Sequence, residues 1–240
     1  MSKEIILDLC RQLRLASSIA EYYHEIEAAS HEEFLIKILT EALARRKIEI
    51  SKRYIRQAGF EILKGLDSFD YSNIVLPSQL TPALLETCEF VDKKQNLILY
   101  GQPGTGKTHL ATALGVQTCL NSQPVLYYKT SKLVNHLVEL KKMGKEDRFW
   151  KRLEKAALLI LDEWGYLPFE RLGTQMLFEV ISNCYERRSV ILTTNLPFNE
   201  WNTIFYDQKL TAAILDRMVH HGLLIMHEGE SYRLRHSSMQ

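Results

Sequence analysis

Apolar positions recur at helical spacing through the first part of the chain and in short strand-like runs through the rest. Ile5, Ile6, Leu9, Leu13 and Ala16 share one helical face. Ser30 and Glu33 read as a capping box ahead of Phe34, Leu35, Ile38, Leu39 and Leu43. No strand-like alternation interrupts this part, and its only glycines, Gly59 and Gly65, stand at its end. Residues 59–82 also carry Asp67, Asn73, Pro77 and Pro82, a breaker-rich stretch suited to a connection. Beyond it, apolar runs at 96–100, 125–128, 157–162, 190–194 and 223–227 alternate with helical patterns. That alternation predicts a three-layer α/β domain over 67–240, built on a parallel five-stranded sheet and preceded by a small all-helical domain over 1–66.

The run at 96–100 leads straight into Gly101-x-x-x-x-Gly106-Lys107-Thr108. This is the spacing of a phosphate-binding loop. Gly101, Gly104 and Gly106 let the backbone turn tightly and aim successive N–H groups at phosphate oxygens. Lys107 is set to neutralise β- and γ-phosphate charge, and the Thr108 hydroxyl to ligate Mg²⁺. Leu110, Ala111 and Leu114 make the following segment a helix whose amino end favours an anion.

A second strand, 157–162, ends in Asp162 and Glu163. Asp162 at the strand tip is suited to hold Mg²⁺, and Glu163 to orient or deprotonate the attacking water. A third, 190–194, ends at Asn195, which faces the same crevice if the strands are parallel and is otherwise a turn residue ahead of Pro197.

Composition narrows the class. The chain has 240 residues, 46% hydrophobic and 25% charged, as expected of an ordinary globular protein. Cys10, Cys88, Cys119 and Cys184 are scattered without a Cys-x-x-Cys pair, which argues against a disulfide framework or a cysteine zinc site. No apolar run approaches membrane-spanning length and no signal-peptide pattern opens the chain, so a cytoplasmic protein without a membrane partner is expected. The net charge of +1 supplies no global field for nucleic acid. Charge is nevertheless uneven. Residues 1–44 hold eight acids and four bases, whereas 45–64 hold seven bases and two acids. A second basic stretch, 129–155, sets nine bases against four acids, with Phe149 and Trp150 interleaved. Two readings stand: a phosphate-backbone contact surface for DNA, or solvated helix faces.

The motifs Gly101-Gln-Pro-Gly-Thr-Gly-Lys-Thr-His-Leu-Ala, Leu159-Ile-Leu-Asp-Glu-Trp-Gly-Tyr, Tyr185-Glu-Arg-Arg-Ser, Thr193-Thr-Asn-Leu-Pro-Phe-Asn-Glu-Trp, Asp216-Arg217-Met-Val-His-His and Ser231-Tyr-Arg-Leu-Arg resemble those of the IstB family of transposition helper ATPases. That family lies in the AAA+ clade that also holds the DnaC-type helicase loaders. The resemblance covers nearly the whole chain. It implies an AAA+ ATPase that binds ATP and Mg²⁺ through Gly101, Pro103, Gly104, Thr105, Gly106, Lys107, Thr108 and His109, with the metal at Thr108 and Asp162. It makes Asn195 the first sensor, Arg217 a finger for a neighbouring subunit's ATP and Arg233 the second sensor acting in cis. It further implies a homo-oligomer, ring or filament, with ATP at its subunit interfaces. That assembly forms on double-stranded DNA and recruits and stimulates a cognate transposase in DNA recombination. Cys184 departs from the pattern, standing where a basic residue is expected.

Read without the resemblance, Arg217 and Arg233 could equally be surface salt-bridge partners. Phe69 and Tyr71 could stack on adenine or pack between domains. A helicase loader of the DnaC type is the alternative function. A GTPase should carry Asn-Lys-x-Asp, which the sequence lacks. Adjacent side chains diverge on a helix or strand, so geometry argues against a shared metal role for His220 and His221.

Overall fold

A computed structural model describes residues 2–166, 168–205 and 207–232. It divides into two compact units, Met1–Arg53 and Tyr54–Gln240.

The first unit contains α1 (Ser2–Gln12), α2 (Ile19–Tyr22) and most of α3 (His31–Ala58). The capping box forms at the start of α3. The Glu33 N–H donates to Ser30 Oγ at 3.1 Å, and Glu33 Oε2 accepts from the Ala29 N–H at 2.8 Å. The buried face of α1 shares only Ile6 with the expected one. Cys10 and Ile6 pack with Ile19, Tyr22, Ile38 and Ala42, while Ile5, Leu9 and Leu13 remain exposed. Two apolar stripes compete on this helix, and the small core takes the one carrying the cysteine.

The unit boundary falls inside α3, ahead of the breakers that suggested residue 66. The reason is packing. Ala58 is buried in the sheet's core, with Tyr54, Ile55, Phe60 and Leu66 packed against it.

The second unit is built on β1 (Ile74–Val75), β2 (Asn96–Gly101), β3 (Val125–Lys129), β4 (Leu158–Trp164), β5 (Ser189–Thr194) and β6 (Gly222–His227). Their order is β1-β6-β2-β5-β4-β3. The five strands expected from sequence pair in parallel. The sheet has a sixth, β1, which adds antiparallel to β6 through Ile74↔His227 and Val75↔Met226. This two-residue strand lies within the breaker-rich connection, where no periodicity could announce it.

Between strands run α6 (Lys107–Leu120), α7 (Thr130–Met143) with α8 (Asp147–Lys155), α9 (Arg171–Cys184) and α10 (Gln208–His220); the short α4 (Pro82–Glu86) and α5 (Glu89–Asp92) precede β2. Period-2 alternation divides the strand side chains between two cores. Ile98, Leu159, Leu161 and Leu192 meet Leu133, Leu137, Phe149, Leu177, Ile214 and Met218 from α7–α10. Leu97, Leu99, Leu158, Ile160 and Ile191 meet Leu110, Leu114, Leu85 and Phe90 on the opposite face. The result is the three-layer arrangement, with every crossover helix delivering the chain back to the same end of the sheet. Phe149 is buried, so the aromatic within the basic stretch serves the core. Cys184 is buried too, at the end of α9. Among the described residues no helix is long and apolar enough to cross a membrane.

Candidate active site

The carboxyl ends of β2, β4 and β5 converge where α6 begins. Gly106 caps α6 with φ 91° and Gly104 has φ 85°, left-handed values that glycine adopts without strain. Close approach constrains two positions further. A Cβ on Gly101 would lie 2.3 Å from the His227 carbonyl oxygen, because β6 runs alongside. A Cβ on Gly104 would lie 2.0 Å from Ser231 Oγ, and the Tyr232 N–H donates to the Gly104 carbonyl at 3.0 Å. The chain leaving β6 therefore lies over the phosphate loop. Within the loop, Pro103 precedes Gly104, and Thr105 Oγ1 donates to the Gln102 carbonyl at 2.8 Å. Lys107 Nζ donates to the Gly101 and Gln102 carbonyls, both at 2.7 Å, so its ammonium is already turned back over the loop.

Thr108, one residue into α6, donates to Asp162 Oδ1 at 2.9 Å. Asp162 is 1% exposed, and two further hydroxyls reach it: Thr193 from β5 at Oδ1, and Tyr127 from β3 at Oδ2, 2.7 Å away. Burial, with the Asp162 charge behind it, pushes the Tyr127 hydroxyl's pKa well up, so it remains a donor. The carboxylate is thus aimed at Thr108 by its neighbours. Two hard oxygen donors 2.9 Å apart fit a Mg²⁺ ion.

Glu163 follows in a left-handed backbone conformation, φ 58°, at an irregularity of β4–β5 pairing between Leu161 and Trp164. Such a bulge re-aims a side chain. Its N–H donates to Thr193 Oγ1 at 3.0 Å, so Thr193 fixes both acids. The Glu163 carboxylate accepts from Lys129 Nζ at 2.8 Å, and Lys129 also faces Glu61 at 3.5 Å, itself paired with Lys132 at 2.7 Å. The hydrogen bond to Glu163 raises the Lys129 pKa, and the one from Lys132 lowers that of Glu61. Asn195 follows Thr194 at the same edge of the sheet and is half-buried.

Beside the loop, His109 Nε2 donates to the Gly65 carbonyl at 3.1 Å. Its ring meets Phe69 edge to face at 5.3 Å, and Phe69 lies against Gly106 and stacks edge-on with Tyr71. His227, 3% exposed, donates from Nδ1 to the Thr105 carbonyl at 3.0 Å. Burial depresses its pKa to about 4, so the imidazole stands neutral under the loop.

Arg217 is elsewhere. Asn96 Nδ2 donates to the carbonyls of Arg217 and Met218 at 3.4 and 3.2 Å, and Asn96 begins β2, whereas the phosphate loop follows its end. Five strand rises of about 3.3 Å separate the two ends, roughly 17 Å. The guanidinium bonds to the Ala213 carbonyl at 2.8 Å and lies over the Phe178 ring at 5.0 Å. Arg217 is not brought to its own chain's loop. Arg233 lies outside the described residues.

Lys129, Tyr127, Thr193 and His227 carry no local sequence signal for this site. Each reaches the site through strand register or a close approach from a distant part of the chain. Tyr127 and Lys129 stand beside Ile160 and Asp162 only because β3 pairs with β4.

Lys142, Lys145, Arg148, Lys151, Arg152 and Lys155 are exposed along α7, α8 and the turn between them. Lys141 pairs with Glu146 at 3.1 Å. In the first unit Arg46 and Lys47 are exposed, Lys52 pairs with Glu49, and Arg45 pairs with Glu41 while covering the Tyr22 ring.

Comparison with known proteins agrees with this geometry. The family model of the IstB-like ATP binding proteins matches residues 9–240. The ATP-binding protein of insertion sequence IS5376 from Geobacillus stearothermophilus is 33% identical, over 99% of this chain and 97% of its own. That of IS21 from Pseudomonas aeruginosa is 36% identical, over 86% of this chain and 78% of its own. The solved structure of the DnaC helicase loader has a TM-score of 0.50 at 22% identity, over 74% of this chain and 99% of its own, a likeness of fold alone. The fold is that of the AAA+ P-loop proteins, and the chain belongs to the IstB-like ATP-binding proteins of insertion sequences.

Proposed function

We propose that the protein is the ATP-hydrolysing helper of an insertion-sequence transposase, assembling on double-stranded DNA with ATP between neighbouring subunits. The observation that carries this reading is the convergence of Lys107, Thr108, Asp162 and Glu163 at one sheet edge while Arg217 stands at the other. A self-contained phosphoryl-transfer site would hold its arginine beside its own loop. The position of Arg217 away from its own chain's loop supports a role at another chain's.

Lys107 exchanges its bonds to the loop carbonyls for β- and γ-phosphate oxygens, while the loop amides and the amino end of α6 bind the remaining charge. Thr108 and Asp162 would hold Mg²⁺, which when bound would supply charge neutralisation at those phosphates. Glu163, once released by Lys129, orients a water in line with the γ-phosphorus and takes its proton. The bond from the γ-phosphorus to the bridging oxygen breaks, and ADP leaves with that electron pair. Asn195 at the same edge hydrogen-bonds the γ-phosphate or the water, and Arg233 reaches the phosphates in cis. The neighbour's Arg217 stabilises the charge that develops.

The exposed bases of α7 and α8, together with Arg46 and Lys47 of the first unit, contact DNA phosphates, which positions the protein without reading bases. The DNA-bound assembly then presents a surface to its transposase. Relatives at 33–36% identity are insertion-sequence proteins, which favours this over helicase loading. The test is ATP turnover by the purified chain with and without duplex DNA, followed by capture of the transposase of its own insertion sequence on that DNA. DNA-stimulated turnover and ATP-dependent capture are expected. Turnover indifferent to DNA, with no capture, overturns the reading.

A further inference from the structure

At the amino edge of the sheet, opposite the phosphate loop, three side chains converge that the ATP site does not use. One nitrogen from each of His220 and His221 and a carboxylate oxygen of Glu186 lie within 4.8 Å of one another. All three residues are exposed. We propose that Glu186, His220 and His221 form a binding site for a divalent transition-metal ion of the zinc class.

The backbone explains how two adjacent histidines converge. Helix α10 ends at His220, and His221 is its cap with φ −114° and ψ 27°, outside the helix. The divergence of neighbouring helical side chains therefore does not apply, and the two rings approach to 4.1 Å between centroids. The His221 carbonyl accepts from the Asn96 N–H at 2.8 Å, which ties this corner to the start of β2. Glu186 comes from the turn between α9 and β5, where Arg187 and Arg188 both donate to the Cys184 carbonyl. It is held at φ 57°, a left-handed conformation unusual for a residue with a Cβ. That turn carries the carboxylate to 3.5 Å from His221 Nε2.

Two further features point to a cation. The site sits at the carboxyl end of the 13-residue α10, where the helix dipole presents partial negative charge. The Tyr185 hydroxyl bonds His220 Nδ1 at 2.7 Å, and its ring stacks on the imidazole at an interplanar angle of 28°. Metal-ligating histidines are characteristically oriented by such an outer partner.

The donor set selects the ion. Two imidazole nitrogens and one carboxylate suit zinc-class ions, whereas Mg²⁺ and Ca²⁺ prefer oxygen throughout, as at Thr108 and Asp162. In a tetrahedral site with bonds of about 2.0–2.1 Å, ligand atoms lie roughly 3.3 Å apart. The Glu186–His221 pair is already close to that, and rotation of exposed side chains closes the rest. Three protein ligands leave a fourth position for water or a donor from another chain. An ion here would join the α9–β5 turn to the end of α10, one helical turn beyond Arg217.

The full-length chain, stripped of metal and held in excess Mg²⁺, is titrated calorimetrically with Zn²⁺. One ion per chain is expected, and Co²⁺ in its place should give the intense visible absorption of a tetrahedral nitrogen–oxygen site. Glu186→Gln and the double change His220→Ala/His221→Ala should each weaken binding by at least about tenfold, and Tyr185→Phe by about 10–100-fold through lost orientation. His24→Ala/His31→Ala should bind as the unaltered chain does. Circular dichroism verifies folding, and the near-isosteric Glu186→Gln keeps the test valid if the double variant is unstable. No binding by the unaltered chain, or unchanged affinity in folded Glu186→Gln, overturns the proposal.

Discussion

Lys129, at the end of β3, donates to the Glu163 carboxylate at 2.8 Å, so the acid proposed to activate water is held by the ammonium of a neighbouring strand. The pair is partly exposed, 25% and 35% by side chain, and its coupling is on the order of 1 kcal/mol or less. Lys129→Met should therefore raise basal ATP turnover up to several-fold and shrink the stimulation by DNA, because no contact remains to be released. Steady-state turnover with and without duplex measures both. An unchanged basal rate would remove Lys129 as the restraint.

Glu163→Gln keeps the shape of the side chain but cannot accept the proton. ATP affinity should persist while turnover falls by about 10²–10⁴-fold. The variant should accumulate in the ATP-bound state on DNA, visible by sedimentation. Hydrolysis at the normal rate would shift the base to another acid.

Burial holds the His227 imidazole at about 4, below its ordinary value of 6.5. Between those values the unfolded chain binds a proton that the folded chain does not. Stability from this group is complete above about pH 6.5 and declines as pH falls toward 4, by about 3 kcal/mol in all. His227→Gln should flatten that part of the Tm-against-pH curve. Identical acid sensitivity in the variant would contradict the burial of a neutral imidazole under the loop.

Replacing Lys142, Lys145 and Arg148 together by Ala should weaken duplex binding and flatten its salt dependence, each lost phosphate contact removing about 0.9 from the slope of log K against log salt. Base preference should not change, since phosphate contacts carry no sequence information. Equal affinity and slope on random-sequence duplex would make α7 and α8 solvated faces.

The parts of this site that are contiguous in sequence were legible there. The glycines, Lys107 and Thr108 belong to one loop, and Asp162 and Glu163 end one apolar strand, so local spacing carried the chemistry. Lys129, Tyr127 and Thr193 meet the two acids only through strand pairing, which no local pattern encodes. The approach of the His220 and His221 rings was not legible because the helix ends between them. Strand β1 is too short to show a period. In α1 the face read from sequence is partly buried only at Ile6, because the small core takes the side that carries Cys10.

An ATP site completed by a second chain is tested most directly by mixing two inactive variants. Lys107→Ala should lose ATP binding, whereas Arg217→Ala should keep it and lose turnover by about 10³–10⁵-fold, the range for an arginine finger. In a mixed assembly on DNA, the intact loop of an Arg217→Ala chain can receive Arg217 from a Lys107→Ala neighbour. ATPase activity should partially return in the mixture, rising with protein concentration and requiring DNA. Silence in a mixture verified to co-assemble, or full activity of Arg217→Ala alone, would contradict the account.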